Sequence, residues 1–372
     1  MIIRRIDVYR FNIELTHPTI VSLGVLTSAS NVLLRITTDC GIQGWGEASP
    51  FAPVTGDTQE SNYANARLIA QTLIGKDPIA VEARMREINT ITIGEPSLRS
   101  AFDMSLNDIL GQAAGLPLYA LLGGEIRPLR TDITISMYDT VEETLERLEE
   151  CIALGLDEIK MKVGRAGLAD VQHVAAVRKR IGPEIAIKVD SNQGWDYSAA
   201  VANLRAMEPF QLQYSEQPLA RWDFENLRRL REKVSIPICA DESVFDDKDA
   251  LKLISMGAAD YLNIKLGKSG GINMALRIEA IANAAGAKCM IGCFAESRLA
   301  LSAAAHVACA RPNITFLDLD SYYILKNDPV LGGITYDEET GGGIKLPETP
   351  GLGATIDERF LKTCEQYSVG LG

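Results

Sequence analysis

The chain has 372 residues, which is long for one compact domain and sufficient for two. Its residues are 47% hydrophobic and 23% charged, an ordinary balance for a soluble globular protein that argues against disorder. The net charge of -12 argues against nucleic acid or an anionic membrane surface as a partner, because both attract a basic surface.

Cysteine usage and the N-terminus indicate a reducing, cytoplasmic setting. The seven cysteines, an odd number, show neither zinc-finger nor CxxC spacing, so we interpret them as reduced packing residues. The N-terminal run MIIRRIDVYRF is typical of a strand with early charges and not of a signal peptide. Because no uninterrupted apolar run reaches membrane-spanning length, we expect a cytoplasmic protein without a membrane partner.

Residues 1–125 are predicted to form an α+β domain. Strand-like runs at 2–11, 31–39 and 41–49 come before helical runs at 64–74, 81–91 and 97–115. A last segment, 325–372, is rich in Gly and Pro and has no clear helical period. We therefore expect this segment to return to the first domain.

Residues 126–324 repeat one unit: a short apolar strand that ends in a polar residue, then a loop and a helix. The eight strands read TISMY, EIKMKVG, AIKVDSN, LQYSEQP, IPICADES, YLNIKLG, KCMIGCF and TFLDLD. The residues at the ends of five successive strands are 28, 26, 25 and 24 positions apart: Lys162, Asp190, Glu216, Asp241 and Lys265. Eight β-α units at this period predict a (β/α)8 barrel of the α/β class, with functional residues at the C-terminal strand ends. A doubly wound open sheet is the alternative, but such a sheet rarely has eight regular parallel strands.

Three carboxylates, on Asp190, Glu216 and Asp241, end three neighbouring strands. Neighbouring strands lie about 5 Å apart, so the oxygens can converge on one point, where they would repel each other without a cation. An all-oxygen site of this kind suits Mg²⁺ or Mn²⁺. The alternative for each carboxylate is a helix cap or an ion pair with a loop arginine. Three of them on consecutive strand ends, flanked by lysines, favour the metal.

Lysines flank these carboxylates on both sides. In EIKMKVG, strand alternation directs Lys160 and Lys162 to one face, and Lys265 lies four strands further on, across the barrel mouth. Two amines on opposite faces of a substrate suit removal of a proton α to a carboxylate and its return from the other side, while a metal stabilises the enediolate. Lys162 and Lys265 are therefore the predicted acid/base pair. Lys160 is expected to lower the pKa of Lys162 by like charge, or else to act as a counter-ion for the acidic cluster.

Seven stretches together resemble the enolase superfamily, and more narrowly its muconate-lactonising subgroup with a KxK motif. They span nearly the whole chain and read GLPLYALLGG, KMK, VDSN, EQP, ADES, NIKLGKSGG and PGLG. The resemblance implies one Mg²⁺ per subunit, bound by the three carboxylates, and two lysine bases. It also implies that the N-terminal domain caps the barrel with loops near 17–28 and 45–58. The resemblance to this family also implies a homo-oligomer.

The last strand narrows the resemblance to the dipeptide epimerases. TFLDLD places Asp318 and Asp320 on one face at the barrel top, where a DxD in this family receives the α-ammonium of a dipeptide. Two adjacent carboxylates attract a cation, although a pair of helix caps is the alternative. The same family pattern includes two residues of IGCFAES that are expected to line the site, Glu296 and Ser297. Two more residues are expected to support the metal ligands from behind, Asn192 and Glu242.

One departure from the family bears on the substrate. Epimerases that act on Ala-Glu carry a basic residue in the first capping loop, whereas THPTIVSLGVLTSASNV is mostly apolar and offers only His17 as a potential cation. A buried carboxylate without a cation is costly, so we expect a dipeptide with an apolar C-terminal residue.

Three other functions remain as alternatives. A muconate cycloisomerase, o-succinylbenzoate synthase or N-acylamino-acid racemase would share the metal and both lysines, but its substrate presents no ammonium to Asp318 and Asp320. A Schiff-base aldolase barrel needs one lysine in an apolar pocket and no acidic triad. A barrel that only binds a ligand would normally lack a metal ligand or a base, and this sequence has them all.

Overall fold

The chain folds into an eight-stranded parallel sheet that is capped by a four-stranded antiparallel sheet and its helices. The computed structural model describes residues 1–337 and 341–371. Two smaller sheets, of two and three strands, are built mostly from the C-terminal segment.

The capping sheet joins the two ends of the chain. Its strand order is β17-β1-β2-β3, with β1 at Ile3–Val21, β2 at Gly24–Thr38, β3 at Gln43–Ala48 and β17 at Gln366–Gly370. The helices that follow are α1 (Ala52–Thr55), α2 (Gln59–Leu73), α3 (Val81–Ile91), α4 (Pro96–Ala114) and α5 (Leu118–Leu121). The predicted strand runs overlap β1, β2 and β3, and the three longer helices overlap the predicted helical runs, whereas the hairpin extension of β1 and β2 through 17–28 and strand β17 were not predicted.

Helix α4 packs directly on β3 because two glycines leave it room. A Cβ on Gly46 would lie 1.9 Å from the carbonyl oxygen of Ala101, and a Cβ on Gly44 would lie 2.1 Å from that of Ser105. Most residues of α4 are buried, since the helix lies between the capping sheet and the barrel. Asp103 on this helix accepts hydrogen bonds from the first amides of a barrel helix, which fixes the cap against the barrel.

The parallel sheet runs in chain order, as expected for a β-α barrel. Its strands are β5 (Ile133–Ile135), β6 (Glu158–Lys162), β7 (Ala186–Asp190), β8 (Ser215–Glu216), β9 (Ile238–Ala240), β10 (Tyr261–Lys265), β11 (Lys288–Gly292) and β12 (Ile314–Asp318). The helices around it are α6 (Val141–Ala153), α7 (Ala169–Ile181), α8 (Tyr197–Met207), α9 (Phe224–Arg231), α10 (Asp247–Met256), α11 (Leu266–Ser269), α12 (Ile272–Ala284) and α13 (Arg298–Ala310). The first and last strands approach each other, because Asp132 N donates to Leu317 O at 3.3 Å. The barrel prediction is confirmed.

The remaining segments connect the two layers. They comprise β4 (Leu129–Arg130), β13 (Val330–Gly332), β14 (Thr335–Asp337), β15 (Gly343–Lys345), β16 (Ala354–Ile356) and α14 (Glu358–Leu361), with 3-10 turns at Glu208–Phe210 and Ser321–Ile324. Strand β17 then pairs with β1, with Gln366 opposite Tyr9. The limits 1–125, 126–324 and 325–372 stay a prediction of domain boundaries. Among the helices in the described ranges, none has the length and apolarity needed to cross a membrane.

Candidate active site

Strand register brings the acidic and basic strand ends together. In the parallel pairing, Lys162 lies opposite Asp190, and Asp190 lies opposite Glu216. Asp241 directly follows the next strand, β9. The three carboxylates predicted from chain order therefore share one rim of the barrel.

Lys160 is buried at the centre of this acidic cluster. Its Nζ lies 2.7 Å from Asp318 Oδ2 and 2.8 Å from Glu216 Oε2, and Asp190 Oδ2 is 3.1 Å away. Burial alone would lower the pKa of Lys160, but the carboxylates outweigh burial and raise this pKa well above its usual value. An ammonium group held by three carboxylates is a counter-ion. The contacts favour this alternative over the expectation that Lys160 acts chiefly on Lys162.

Lys162 and Lys265 each pair with a different member of the carboxylate triad. Lys162 Nζ is 2.7 Å from Asp190 Oδ2, and Lys265 Nζ is 2.9 Å from Asp241 Oδ2. The two lysines stand on β6 and β10, four strands apart, and both border one cavity. Burial opposes the charged form of Lys265, but Asp241 outweighs it and raises the pKa of Lys265.

The carboxyl groups of the triad differ in their response to this environment. Burial raises the pKa of Glu216, and the charge of Asp190 raises it further. Burial also acts on Asp190 and Asp241, but neighbouring lysines outweigh it and hold the pKa of each below its usual range. Asp190 and Asp241 are therefore ionised and can only accept hydrogen bonds or bind cations.

Asn192 and Glu242 contact the triad from the loops beyond the strands. The backbone N–H of Asn192 donates to Asp190 Oδ1 at 2.9 Å, and its Nδ2 donates to Glu242 Oε1 at 3.3 Å. Burial, then the charge of Asp241, raises the pKa of Glu242 to about 8. Their support of the metal ligands stays a prediction.

Asp318 and Asp320 border the same cavity. Asp320 Oδ2 accepts a hydrogen bond from the N–H of Thr134 at 2.7 Å. Burial, then the charge of Asp318, raises the pKa of Asp320 to about 6. For Asp318, lysine charges led by Lys160 outweigh burial and lower the pKa.

Two groups of carboxylates could hold a metal ion. The first is the triad of Asp190, Glu216 and Asp241, each of which pairs with a lysine: Lys162, Lys160 and Lys265 respectively. The second is Asp132, Asp318 and Asp320, whose ligand atoms lie within 4.8 Å of one another. In this second group, Asp132 pairs with Lys188 at 2.8 Å and Asp320 accepts from the Thr134 N–H at 2.7 Å. The first group stands on three successive strand ends between Lys162 and Lys265, so it fits a Mg²⁺ that acts between the two lysines better.

Glu296 and Ser297 bind the capping domain, which corrects the expectation that they line the site. Glu296 Oε1 accepts from Ser49 Oγ at 2.9 Å, while Ser297 donates to Glu47 through its N–H at 3.0 Å and its Oγ at 2.5 Å. Ser297 is also the N-cap of α13. The chain turns into this helix here, so the cavity wall is formed instead by the preceding residues, Cys293 to Ala295.

The capping loops contribute an apolar wall to the cavity. Val21 and Leu26 from the β1–β2 hairpin border it, as do Phe51 and Val54 from the loop after β3. The ring of Phe294 packs against Phe51, with centroids 6.1 Å apart. The space enclosed and fronted by these residues is about 980 Å³, part of it open solvent.

Several functional contacts were not foreseen. Lys268 Nζ donates to Asp241 Oδ1 at 2.7 Å, and Asn263 Nδ2 donates to Glu216 Oε1 at 2.6 Å. Lys188 Nζ lies 2.8 Å from Asp132 Oδ2. Strand alternation would have found two of them, because Lys188 shares a face with Asp190, and Asn263 shares one with Lys265. Lys268 lies in α11, beyond the alternation of β10, so only the structure places it.

A barrel whose strand ends present an acidic triad between two lysines, under an α+β cap, defines the capped-barrel class of the enolase type. Residues 143–360 match the enolase C-terminal domain-like family model. Residues 5–123 match the N-terminal domain model of mandelate racemase and muconate lactonizing enzyme. The chain belongs to this mandelate racemase/muconate lactonizing family of the enolase superfamily, which confirms the resemblance.

Several relatives cover almost the whole chain. A hydrophobic dipeptide epimerase from Enterococcus faecalis is 38% identical over 95% of this chain and 99% of its own length. An L-Ala-D/L-Glu epimerase from Bacillus subtilis is 39% identical over 95% of this chain and 96% of its own. The crystal structure of a dipeptide epimerase from Cytophaga hutchinsonii, complexed with Mg and D-Ala-L-Val, superposes with a TM-score of 0.97 at 37% identity, over 100% of both chains.

Proposed function

We propose that the protein is a Mg²⁺-dependent dipeptide epimerase, an isomerase that inverts the α-carbon of the C-terminal residue of a dipeptide. One observation carries the proposal: Lys162 and Lys265 border one cavity from strands four apart, and each lies within 3 Å of a triad carboxylate, at 2.7 and 2.9 Å. The family and the named activities of the relatives support the same reaction type.

Asp190, Glu216 and Asp241 would hold one Mg²⁺ per subunit. The bound ion would stabilise the negative charge that develops on the substrate carboxylate. Asp241, which pairs with Lys265 at 2.9 Å, would then be shared between the ion and this lysine.

Lys162 and Lys265 would move the proton between the two faces of the α-carbon. One amine takes the Cα proton, and the electron pair of the broken C–H bond is delocalised into the carboxylate as an enediolate. The other ammonium group then delivers a proton to the opposite face, which inverts the carbon. The reverse reaction exchanges the two roles, so the net proton balance is zero.

Asp318 and Asp320 would bind the α-ammonium of the N-terminal residue. Both border the cavity, and Asp320 is oriented by the Thr134 N–H. A charge-assisted hydrogen bond from the ammonium to these carboxylates would place the second residue of the dipeptide between the lysines. Substrates without a free amine would lose this contact.

An apolar C-terminal residue fits the cavity wall best. The bordering side chains from the capping loops include Val21, Leu26, Phe51 and Val54. Arg147 also borders the cavity and was not foreseen, but its Nη1 already binds Glu150 Oε2 at 2.5 Å. A substrate carboxylate would have to compete with that pair. Among the relatives, the hydrophobic dipeptide epimerase and the epimerase complexed with D-Ala-L-Val agree with this preference, whereas the L-Ala-D/L-Glu epimerase does not.

Deuterium uptake tests the reaction. The protein with Mg²⁺ in D₂O is given pooled dipeptides and N-succinyl amino acids, and mass spectrometry detects a deuterium at the C-terminal α-carbon. We expect uptake on dipeptides such as Ala-Val or Ala-Leu, abolished in the double variant Lys162→Ala/Lys265→Ala and kept in Lys326→Ala, an exposed lysine paired with Glu14. Uptake confined to N-succinyl substrates would contradict the ammonium site, and no uptake at all would contradict the proposal.

We also propose a homo-oligomer in a reducing, cytoplasm-like compartment. None of the seven cysteines, all in the described ranges, is joined in a disulfide. The oligomer is proposed by analogy with the family. Light scattering on the eluted protein measures the mass, and a monomer would contradict the oligomer.

A further inference from the structure

A second cavity lies between the capping domain and the barrel. It holds about 880 Å³, part of it open solvent, and shares no bordering residue with the cavity that contains the catalytic lysines. The capping domain contributes Arg99 and Asn89, and the barrel contributes Arg221, Ser269 and Gly270. Nothing in the proposed epimerase reaction uses this space.

Arg99, on α4, reaches across the domain boundary into this cavity. Its Nη1 donates to Asn89 Oδ1 at 3.2 Å, but its Nε is buried and has no hydrogen-bond partner among the described residues. The guanidinium lies over Gly270, where a Cβ would be 3.8 Å from Nε, Cζ and Nη2. Burial lowers the pKa of Arg99, which is the response of a cation that lacks full compensation. A buried donor of this kind is costly unless a ligand satisfies it.

The charge of the cavity wall is positive. Within the described ranges, neither Arg99 nor Arg221 forms an ion pair, because no carboxylate oxygen lies within 4.0 Å of either guanidinium group. Asp246 is the one carboxylate among the described residues that border the cavity, and it already caps helix α10. Lys268 also borders the cavity but donates to Asp241. Two arginines therefore face Asp246 at the cavity wall, and Asp57, which does not border the cavity, also acts on Arg99 by its charge, in a chain whose net charge is -12.

Ser269 supplies a second buried donor from the barrel side. The residue is 5% exposed, and its Oγ has no hydrogen-bond partner among the described residues. The neighbouring N-terminus of α12 is not the source of the site, because Asp103 already accepts from the Ile272 and Asn273 amides. The free donors are side chains: the Nε of Arg99 and the hydroxyl of Ser269.

We propose that this interdomain cavity binds a small oxyanion of the phosphate type, held by Arg99 from the cap and Ser269 from the barrel, with Arg221 at the exposed rim. A guanidinium presents Nε–H and Nη–H in the parallel geometry that matches two oxygens of such an anion. Because the two main donors belong to different domains, the bound anion stabilises the docking of the cap on the barrel. The site is independent of the epimerase reaction.

Anion binding is measured on the metal-free full chain, so that no metal in the active site can bind the added phosphate. Inorganic phosphate is titrated at constant ionic strength against sodium chloride, with Tm and isothermal calorimetry as readouts. We expect phosphate to raise the Tm in a concentration-dependent way. Arg99→Gln should weaken phosphate binding by at least about tenfold, and Ser269→Ala by a smaller factor. Arg180→Gln, at an exposed arginine paired with Glu149, is the matched control and should bind as the parent does.

The other outcomes decide the proposal as well. No phosphate-dependent stabilisation, or equal affinity in Arg99→Gln, would overturn it. Loss of binding in Lys162→Ala would place the anion among the catalytic lysines and would overturn it too. If Arg99→Gln does not fold, Ser269→Ala and Arg221→Gln take its place, and unchanged affinity in both overturns the site. Tighter binding of glycerol 3-phosphate than of phosphate would identify a phosphate ester as the occupant, and the reverse would identify the free ion.

Discussion

Lys160 Nζ and Asp318 Oδ2 form a buried ion pair of 2.7 Å that connects the second strand of the barrel to the eighth. The same ammonium group touches Glu216 and Asp190 of the proposed metal triad. One cation therefore neutralises both the metal site and the site proposed for the substrate ammonium. The two sites are electrostatically linked before any ligand binds.

Removing this cation should destabilise the protein. Lys160→Met leaves three buried carboxylates without their shared partner, and breaking a buried pair costs about 3–5 kcal/mol. We expect a lower urea midpoint for the metal-free protein, followed by far-UV circular dichroism. Lys326→Met, at an exposed pair with Glu14, is the control and should leave the midpoint unchanged. An unchanged midpoint in Lys160→Met would contradict the counter-ion role.

Each catalytic lysine should act on one stereoisomer. In Lys162→Ala and Lys265→Ala we expect epimerisation to fall by about 10²–10⁴-fold, because each variant lacks one proton carrier. Each variant should still exchange the α-proton of the isomer that faces its remaining lysine. Proton NMR in D₂O, with L,L and L,D dipeptides supplied separately, measures this. If both variants exchange the same isomer, the two lysines do not lie on opposite faces.

Substrate binding should weaken in acid through Asp320. Burial and Asp318 raise the pKa of Asp320 to about 6, so its carboxyl becomes neutral below that pH and attracts the substrate ammonium less. We expect kcat/KM for dipeptides to decrease as the pH falls through about 6. Asp320→Asn should have a low kcat/KM and should lack this acid limb. If kcat/KM of Asp320→Asn still decreases below about pH 6, another group is responsible for the decrease.

Glu296 should make stability depend on pH. Burial, then the charge of Glu47, raises the pKa of Glu296 from 4.5 to about 7. The folded state thus binds the proton more tightly than the unfolded state, and this stabilisation is lost as the pH rises from 4.5 through about 7. The parent should lose roughly 3 kcal/mol of its free energy of unfolding between pH 4 and 8 through this group, and Glu296→Gln should not. Urea unfolding at several pH values measures the difference. Glu232→Gln, at an exposed residue, should follow the parent.

A basic residue in the first capping loop should change the substrate preference. Leu26 borders the cavity, so Leu26→Arg places a guanidinium where an acidic C-terminal side chain would lie. We expect the ratio of kcat/KM for Ala-Glu over Ala-Val to rise by about tenfold or more. Leu26→Met keeps the apolar character and is the matched control. An unchanged ratio in Leu26→Arg would show that the hairpin does not contact the C-terminal residue.

The barrel and the positions of its strand-end residues could be predicted because they depend on local periodicity. Apolar strands of regular spacing specify eight β-α units, and parallel strands place their C-terminal ends on one rim. Lys162, Asp190 and Glu216 were found in this way, and strand register then set them side by side. The same reasoning identified Lys265 as the residue across the rim.

The sequence by itself determined the barrel, the acidic rim and the two facing lysines, since each follows from periods of two and of about 25 residues along the chain. Tertiary structure decided which partners these groups meet. It made Lys160 a shared counter-ion, directed Glu296 and Ser297 to the capping domain, and opened the cavity between Arg99 and Ser269. These contacts join residues up to 250 positions apart, and no local pattern records the distance or direction between two domains that pack against each other.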